Sequence, residues 1–130
     1  MLLDAAEEFR TLEYSQRLAQ RARNVLAAAP GESTGRTLYD AALVGGAQVL
    51  KSCSGLSVGQ SLDVVSLNTE QAALAQRADD DILDSWIFAG GRRLIDGVWR
   101  AGEKVVVNGR HRQRDAIVAR YRRALKNLVT

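Results

Sequence analysis

His111 and Cys53 are the only histidine and the only cysteine in this 130-residue sequence, so any transition-metal or Cys/His chemistry would have to be built from them. A catalytic zinc centre takes at least three protein ligands, and here carboxylates would have to supply the rest. Cys53 lies in Lys51-Ser52-Cys53-Ser54-Gly55 with no histidine near it in sequence. A reactive thiolate needs an electropositive partner, and Cys53 therefore reads as a small packing residue. One cysteine also excludes an intramolecular disulfide. His111, beside a turn, reads as a surface residue. Asp79-Asp80-Asp81 with Asp84 is dense enough to attract a hard cation but lacks the spacing of a calcium loop. It is better explained as the cap of a short helix. Gly45-Gly46 would cradle a phosphate only after a strand and within a loop, and neither surrounds it. No catalytic, cofactor-binding or metal-ligating residue is assigned, and the chain by itself is expected to hold no cofactor.

The elements that would position such residues follow an α+β order. Asp4 as N-cap with Glu7 three residues on makes a capping box. Ala5, Phe9, Leu12, Ala19, Ala22 and Leu26 then recur at helical spacing. The pattern predicts one long helix ending at Ala29-Pro30-Gly31, where proline and glycine oppose continuation. Acidic Glu7, Glu8 and Glu13 come early in it and Arg17, Arg21 and Arg23 late, in line with the helix dipole. Glu13 and Arg17 form an i,i+4 pair. A second helix is predicted from Ser33 or Thr34, with Leu38, Ala41, Ala42, Gly45 and Val49 on one stripe. Two interior glycines cost helix stability by about 1 kcal/mol each, which predicts a close packing contact there.

From Gly55 short apolar runs alternate with glycine turns, the pattern of strands. Strands are predicted at Val64 to Leu67, Trp86 to Phe88, Leu94 to Trp99 and Lys104 to Val107. Ala101-Gly102 and Asn108-Gly109 predict hairpins between the last of them. An amphipathic helix over Arg112 to Leu128 closes the chain, its stripe being Ile117, Tyr121, Ala124, Leu125 and Leu128. The segments divide as 1–54 helical, 55–111 β and 112–130 helical, in one compact domain.

Composition is that of a globular chain, 46% hydrophobic and 25% charged. The apolar stretch Ala41 to Leu50 falls short of the roughly 20 residues that span a bilayer, so no membrane partner is expected. Met1-Leu2-Leu3-Asp4 followed by Glu7 and Glu8 has the wrong charge sign for an export or organelle leader, which predicts a cytoplasmic location. Arg110 to Lys126 holds seven basic residues against one acid, a segment charge of +6 in a chain of net +3. Such asymmetry suits a nucleic-acid binder. However, only Tyr121 lies among the arginines and it belongs to the apolar stripe, so no stacking platform exists. A solvated helix face accounts for the charges better than nucleic acid does.

Three groups of residues carry a resemblance. They are Glu8 to Leu18, including Leu12-Glu13-Tyr14-Ser15-Gln16-Arg17-Leu18; Gly55 to Val65, including Gly59-Gln60-Ser61-Leu62-Asp63-Val64-Val65; and Gly97-Val98-Trp99-Arg100-Ala101-Gly102 with Val105 to His111. Together they resemble the C-terminal end of an amidohydrolase-superfamily enzyme. The first group and Trp86-Ile87-Phe88-Ala89-Gly90-Gly91 are similar, more narrowly, to the formimino-glutamate deiminases of histidine breakdown. The resemblance runs from about Leu2 to Leu128. It implies that the first two helices follow the last strand of a catalytic barrel and that the strands are the C-terminal share of a β-sandwich. In that family zinc is held by a His-x-His pair, a later histidine and an aspartate, none of which is present here, so no catalytic residue is carried over. Ser66, Leu62 and Asn68 depart from the family pattern, and Ser66 implies a strand face that is not fully buried. Strands lacking their sandwich partners leave open edges. The expected partner is therefore a second copy of this chain or a separate catalytic barrel.

Overall fold

A computed structural model describes residues 3–52 and 55–129. Cys53, expected to pack as a small apolar residue, lies outside the described residues. Helix α1 spans Ala5–Gln20, and its first turn is capped by the Asp4 carboxylate, which accepts from the Ala6 N–H at 3.1 Å. The predicted continuation to Ala29 does not form. Arg21 turns left-handed at φ 51° and donates its N–H to the Arg17 carbonyl. The physical reason is Glu13, fully buried, whose two oxygens accept from the N–H groups of Val25 and Leu26 at 3.0 Å each. A side chain that satisfies backbone donors competes directly with helix propagation. Here it folds residues 21–29 back along α1.

Helix α2 spans Thr34–Leu50, capped by the Ser33 hydroxyl on the Arg36 N–H. Its first turns bury Thr34, Gly35 and Leu38. The close contact predicted at Gly45-Gly46 is absent: a Cβ at either position would meet nothing within 4 Å among the described residues. The distal half of α2 simply extends away from the core, which removes the reason to expect compensation.

Strand β1 (Val64–Leu67) leads through a short turn at Ala72–Leu74 to helix α3, Asp80–Ser85. The strand predicted at Trp86-Ile87-Phe88 is instead a π-helical turn, Trp86–Gly90, continuing α3, followed by a 3-10 turn at Gly91–Leu94. A three-residue apolar run reads equally as strand or buried helix. The surroundings decide: Phe9 and Tyr39 set their rings edge-on to Trp86, each at 6.2 Å, and Ile87 is fully buried. The Arg10 guanidinium donates to the Ile87 carbonyl at 2.6 and 2.9 Å. Gly90 permits the turn, since a Cβ there would come within 2.2 Å of the Leu94 side chain. The core is thus helical, built from Ala6, Leu74, Trp86, Ile87 and Leu94 with Phe9, Tyr39, Leu67 and Phe88 packed on it.

The sheet is an antiparallel meander, β1-β2-β3-β4, with β2 at Ile95–Arg100, β3 at Glu103–Val107 and β4 at Arg110–His111. Val65 faces Val98, Val98 faces Val106, and Val106 faces His111. Both predicted hairpins form. Ala101-Gly102 (φ 48°, 81°) and Asn108-Gly109 (φ 50°, 70°) carry the paired positive φ that tight hairpins require. His111 stands in β4 itself, half-buried. Helix α4, Arg114–Val129, follows and has no buried residue.

Candidate functional site

The acidic cluster does structural work. Asp84 Oδ1 accepts from the Gly35 N–H at 2.7 Å, and Asp80 Oδ1 accepts from Arg36 Nε at 2.8 Å. Asp80 and, after it, Asp40 hold the Arg36 guanidinium above its ordinary pKa. These carboxylates bind α3 to the first turn of α2. His111 Nδ1 accepts from the Gln113 N–H at 3.1 Å, closing the link from β4 into α4. Among the described residues no three histidine, cysteine, aspartate or glutamate side chains gather to hold a metal ion, so they do not fit a zinc centre.

Ion pairs tie the leading end of the basic C-terminal helix to the sheet. Arg112 pairs with Glu103 and Arg110 with Asp115. The hydrogen bond and charge of Arg112 pull the Glu103 carboxyl below its ordinary value, and those of Arg110 do the same for Asp115. The predicted stripe is real but uncovered: Ile117, Tyr121, Leu125 and Leu128 are all exposed, Leu128 by 81%. The tail of α2 repeats this, with Val49 81% and Leu50 76% exposed. Leu56, Val58 and Leu62 ahead of β1 are exposed too. Strand β1 pairs along one side only among the described residues, and Val65 on it is exposed. Open strand edges are pairing templates, and exposed apolar stretches of this extent mark interaction sites. Ser66 is half-buried, its hydroxyl 3.4 Å from Asp96 Oδ2.

The α2 tail, the approach to β1, the β1 edge and the α4 stripe are thus apolar surfaces left largely open to solvent among the described residues. Periodicity located the stripes of α2 and α4 but could not tell a covered stripe from a bare one. The Glu13 clamp left one trace in sequence, its spacing to Arg17.

No protein-family model matches the chain. Formimidoylglutamate deiminase of Pseudomonas aeruginosa is 47% identical over 110 residues, covering 84% of this chain and 24% of that enzyme. The crystal structure of an amidohydrolase from Brucella melitensis superposes with a TM-score of 0.85 at 45% identity, covering 96% of this chain and 27% of the other. The chain thus spans about a quarter of the length of the relatives it matches. That structural likeness extends over both the helical layer and the meander, so this α+β arrangement is one a larger enzyme also contains. In sequence and in fold, the chain corresponds to a portion of a formimidoylglutamate deiminase-like amidohydrolase.

Proposed function

We propose that this chain is the C-terminal portion of a formimidoylglutamate deiminase-like hydrolase, inactive by itself and completed by a metal-binding catalytic barrel. The observation that carries this reading is the 47% identity over 110 residues. The whole enzyme would hydrolyse a C–N bond of formimino-glutamate and release ammonia, a step of histidine degradation, in the cytoplasm. Zinc would belong to the barrel, because the described residues offer no group of ligands for it. The role of this chain is to cover and brace that barrel, α1 and α2 packing as its last helices and β1 to β3 completing a β-sandwich. The exposed Val49, Leu50, Leu56 and Val58 are apolar where such a covering surface needs them to be.

The test is complementation. The chain is mixed with a deiminase relative truncated of its matching quarter, and ammonia release from formimino-glutamate is measured. No activity from either piece and activity from the mixture are expected. Turnover by the chain alone, or pieces that neither bind nor restore activity, would overturn the proposal.

A second reading is a stand-alone oligomerisation or interaction module descended from such an enzyme. The one-sided pairing of β1 and the bare α4 stripe favour it, since both can be covered by a second copy. Light scattering on the eluting protein separates the two. A closed dimer or larger assembly supports the module, and a cooperatively melting monomer sinks it.

A further inference from the structure

Five arginines are paired within the fold: Arg10 donates to Ile87, Arg17 to Glu13, Arg36 to Asp80, Arg110 to Asp115 and Arg112 to Glu103. Among those without such a partner, Arg92, Arg93 and Arg114 are set apart by their place. They line one open cavity of about 690 Å³ on the sheet, together with Gln71, Asp96 and Asn108. None of the three guanidinium groups has a hydrogen bond or ion pair with a described residue; Arg92 is held through its backbone, its N–H 3.4 Å from Asp4 Oδ2 and its carbonyl accepting from the Ile95 N–H.

Their convergence follows from the fold. The 3-10 turn Gly91–Leu94 runs straight into β2, which places Arg92 and Arg93 at the strand's entrance. Strand β4 runs into α4 through Arg112 and Gln113, bringing Arg114 to the same cavity. Asn108 enters on the tight turn between β3 and β4. Three cations and one carboxylate leave the lining at +2. Like charges gathered in a cavity repel one another, and an oxyanion relieves that repulsion while accepting charge-assisted, potentially bidentate hydrogen bonds. The volume lies within the usual range for small-molecule sites, roughly 300–1,000 Å³.

We infer that this cavity binds a small polyanion bearing two or more negative charges on phosphate or carboxylate oxygens. Asp96, half-buried and 3.4 Å from the Ser66 hydroxyl, opposes the anion and restricts the site. It favours ligands that also carry a hydroxyl or ammonium donor to face it. The inference does not depend on the deiminase reading.

Calorimetry on the full chain at constant ionic strength, with sodium chloride as reference, tests it with two probes. Pyrophosphate represents phosphate oxygens and citrate represents carboxylates plus a hydroxyl. Binding of at least one probe with Kd below about 1 mM is expected. Arg93→Gln with Arg114→Gln should weaken it at least about tenfold, whereas Arg122→Gln, on α4 outside the cavity, should not. Asp96→Asn should tighten pyrophosphate several-fold and citrate less. Circular dichroism melts confirm that each exposed-residue variant is folded. Citrate alone binding would assign the site to carboxylates, and pyrophosphate alone to phosphates. Absence of binding by both up to about 10 mM, or equal weakening by Arg122→Gln, would overturn the inference.

Discussion

Asp84 Oδ1 sits 2.7 Å from the backbone nitrogen of Gly35, and that bond, beside the Arg36–Asp80 pair, joins α3 to the first turn of α2 across 49 positions of sequence. Gly35 is required there because a Cβ would stand 2.8 Å from Asp84 Oδ1 and 2.9 Å from the Asp84 backbone nitrogen. Gly35→Ala is therefore expected to destabilise the protein by about 1–3 kcal/mol, as other overpacked sites do. Asp84→Ala, which removes a carboxylate from a helix N-terminus, should cost about 1 kcal/mol. Urea titration followed by tryptophan fluorescence measures both, and a neutral Gly35→Ala would show that the two helices separate freely.

Glu13 is a carboxylate with no exposure, three donors on it and a helix end to enforce. Replacing it with alanine leaves the Val25 and Leu26 N–H groups without an acceptor, a loss of about 1–3 kcal/mol. Limited trypsin digestion is the sharper readout. Cleavage after Arg21 or Arg23 should accelerate in Glu13→Ala more than unfolding of the whole chain does. Unchanged cleavage would mean that residues 21–29 hold their course without the clamp.

Gly45→Ala and Gly46→Ala should each raise stability by roughly 0.5–1 kcal/mol, because both positions lie inside α2 with open space around them. Thermal melts check the sign. A decrease would place a neighbour against this stretch of α2 in the protein as it exists in solution, and the bare helix tail would then be covered.

Glu103 and Asp115 should titrate below free carboxyls, the first because of Arg112 and the second because of Arg110. A lowered folded-state value gives stability that is fully present above the ordinary carboxyl range and is lost as pH falls through the lowered one. Both pairs are exposed, so the effect on overall stability is small and salt-sensitive. Carbon NMR titration should show the Glu103 midpoint rising in Arg112→Ala and, to a smaller extent, in about 1 M salt, which screens the charge but leaves the hydrogen bond. An unmoved midpoint would mean that Arg112 does not hold α4 to the sheet.

Local chemistry was legible where a few neighbouring residues decide the outcome. Asp4 and Ser33 cap the helices they precede, and Ala101-Gly102 and Asn108-Gly109 turn the meander as their tolerance of positive φ implies. Val64 to Leu67 formed the strand its β-branched run suggested. The short helix expected at the acidic stretch is α3, with Asp79 at its N-cap position and Asp80 and Asp81 in its first turn, but the expected side-chain cap does not form. Even the likeness to a deiminase was readable from segments such as Leu12 to Leu18, and the chain is 47% identical over 110 residues to one.

Other outcomes depended on partners far away in sequence. Trp86-Ile87-Phe88 became helical because Phe9, Tyr39 and Arg10 receive it in that form, and a three-residue run has too little periodicity to declare its state alone. The first helix stops at Gln20 because a buried carboxylate captures backbone donors 12 and 13 residues ahead, a competition that no window of propensities contains. Sequence by itself determined which faces of α2 and α4 are apolar. Only the tertiary structure decided that α2 buries its first turns while its tail and the α4 stripe stay largely exposed among the described residues, since burial is a property of what lies opposite a face and not of the residues on it.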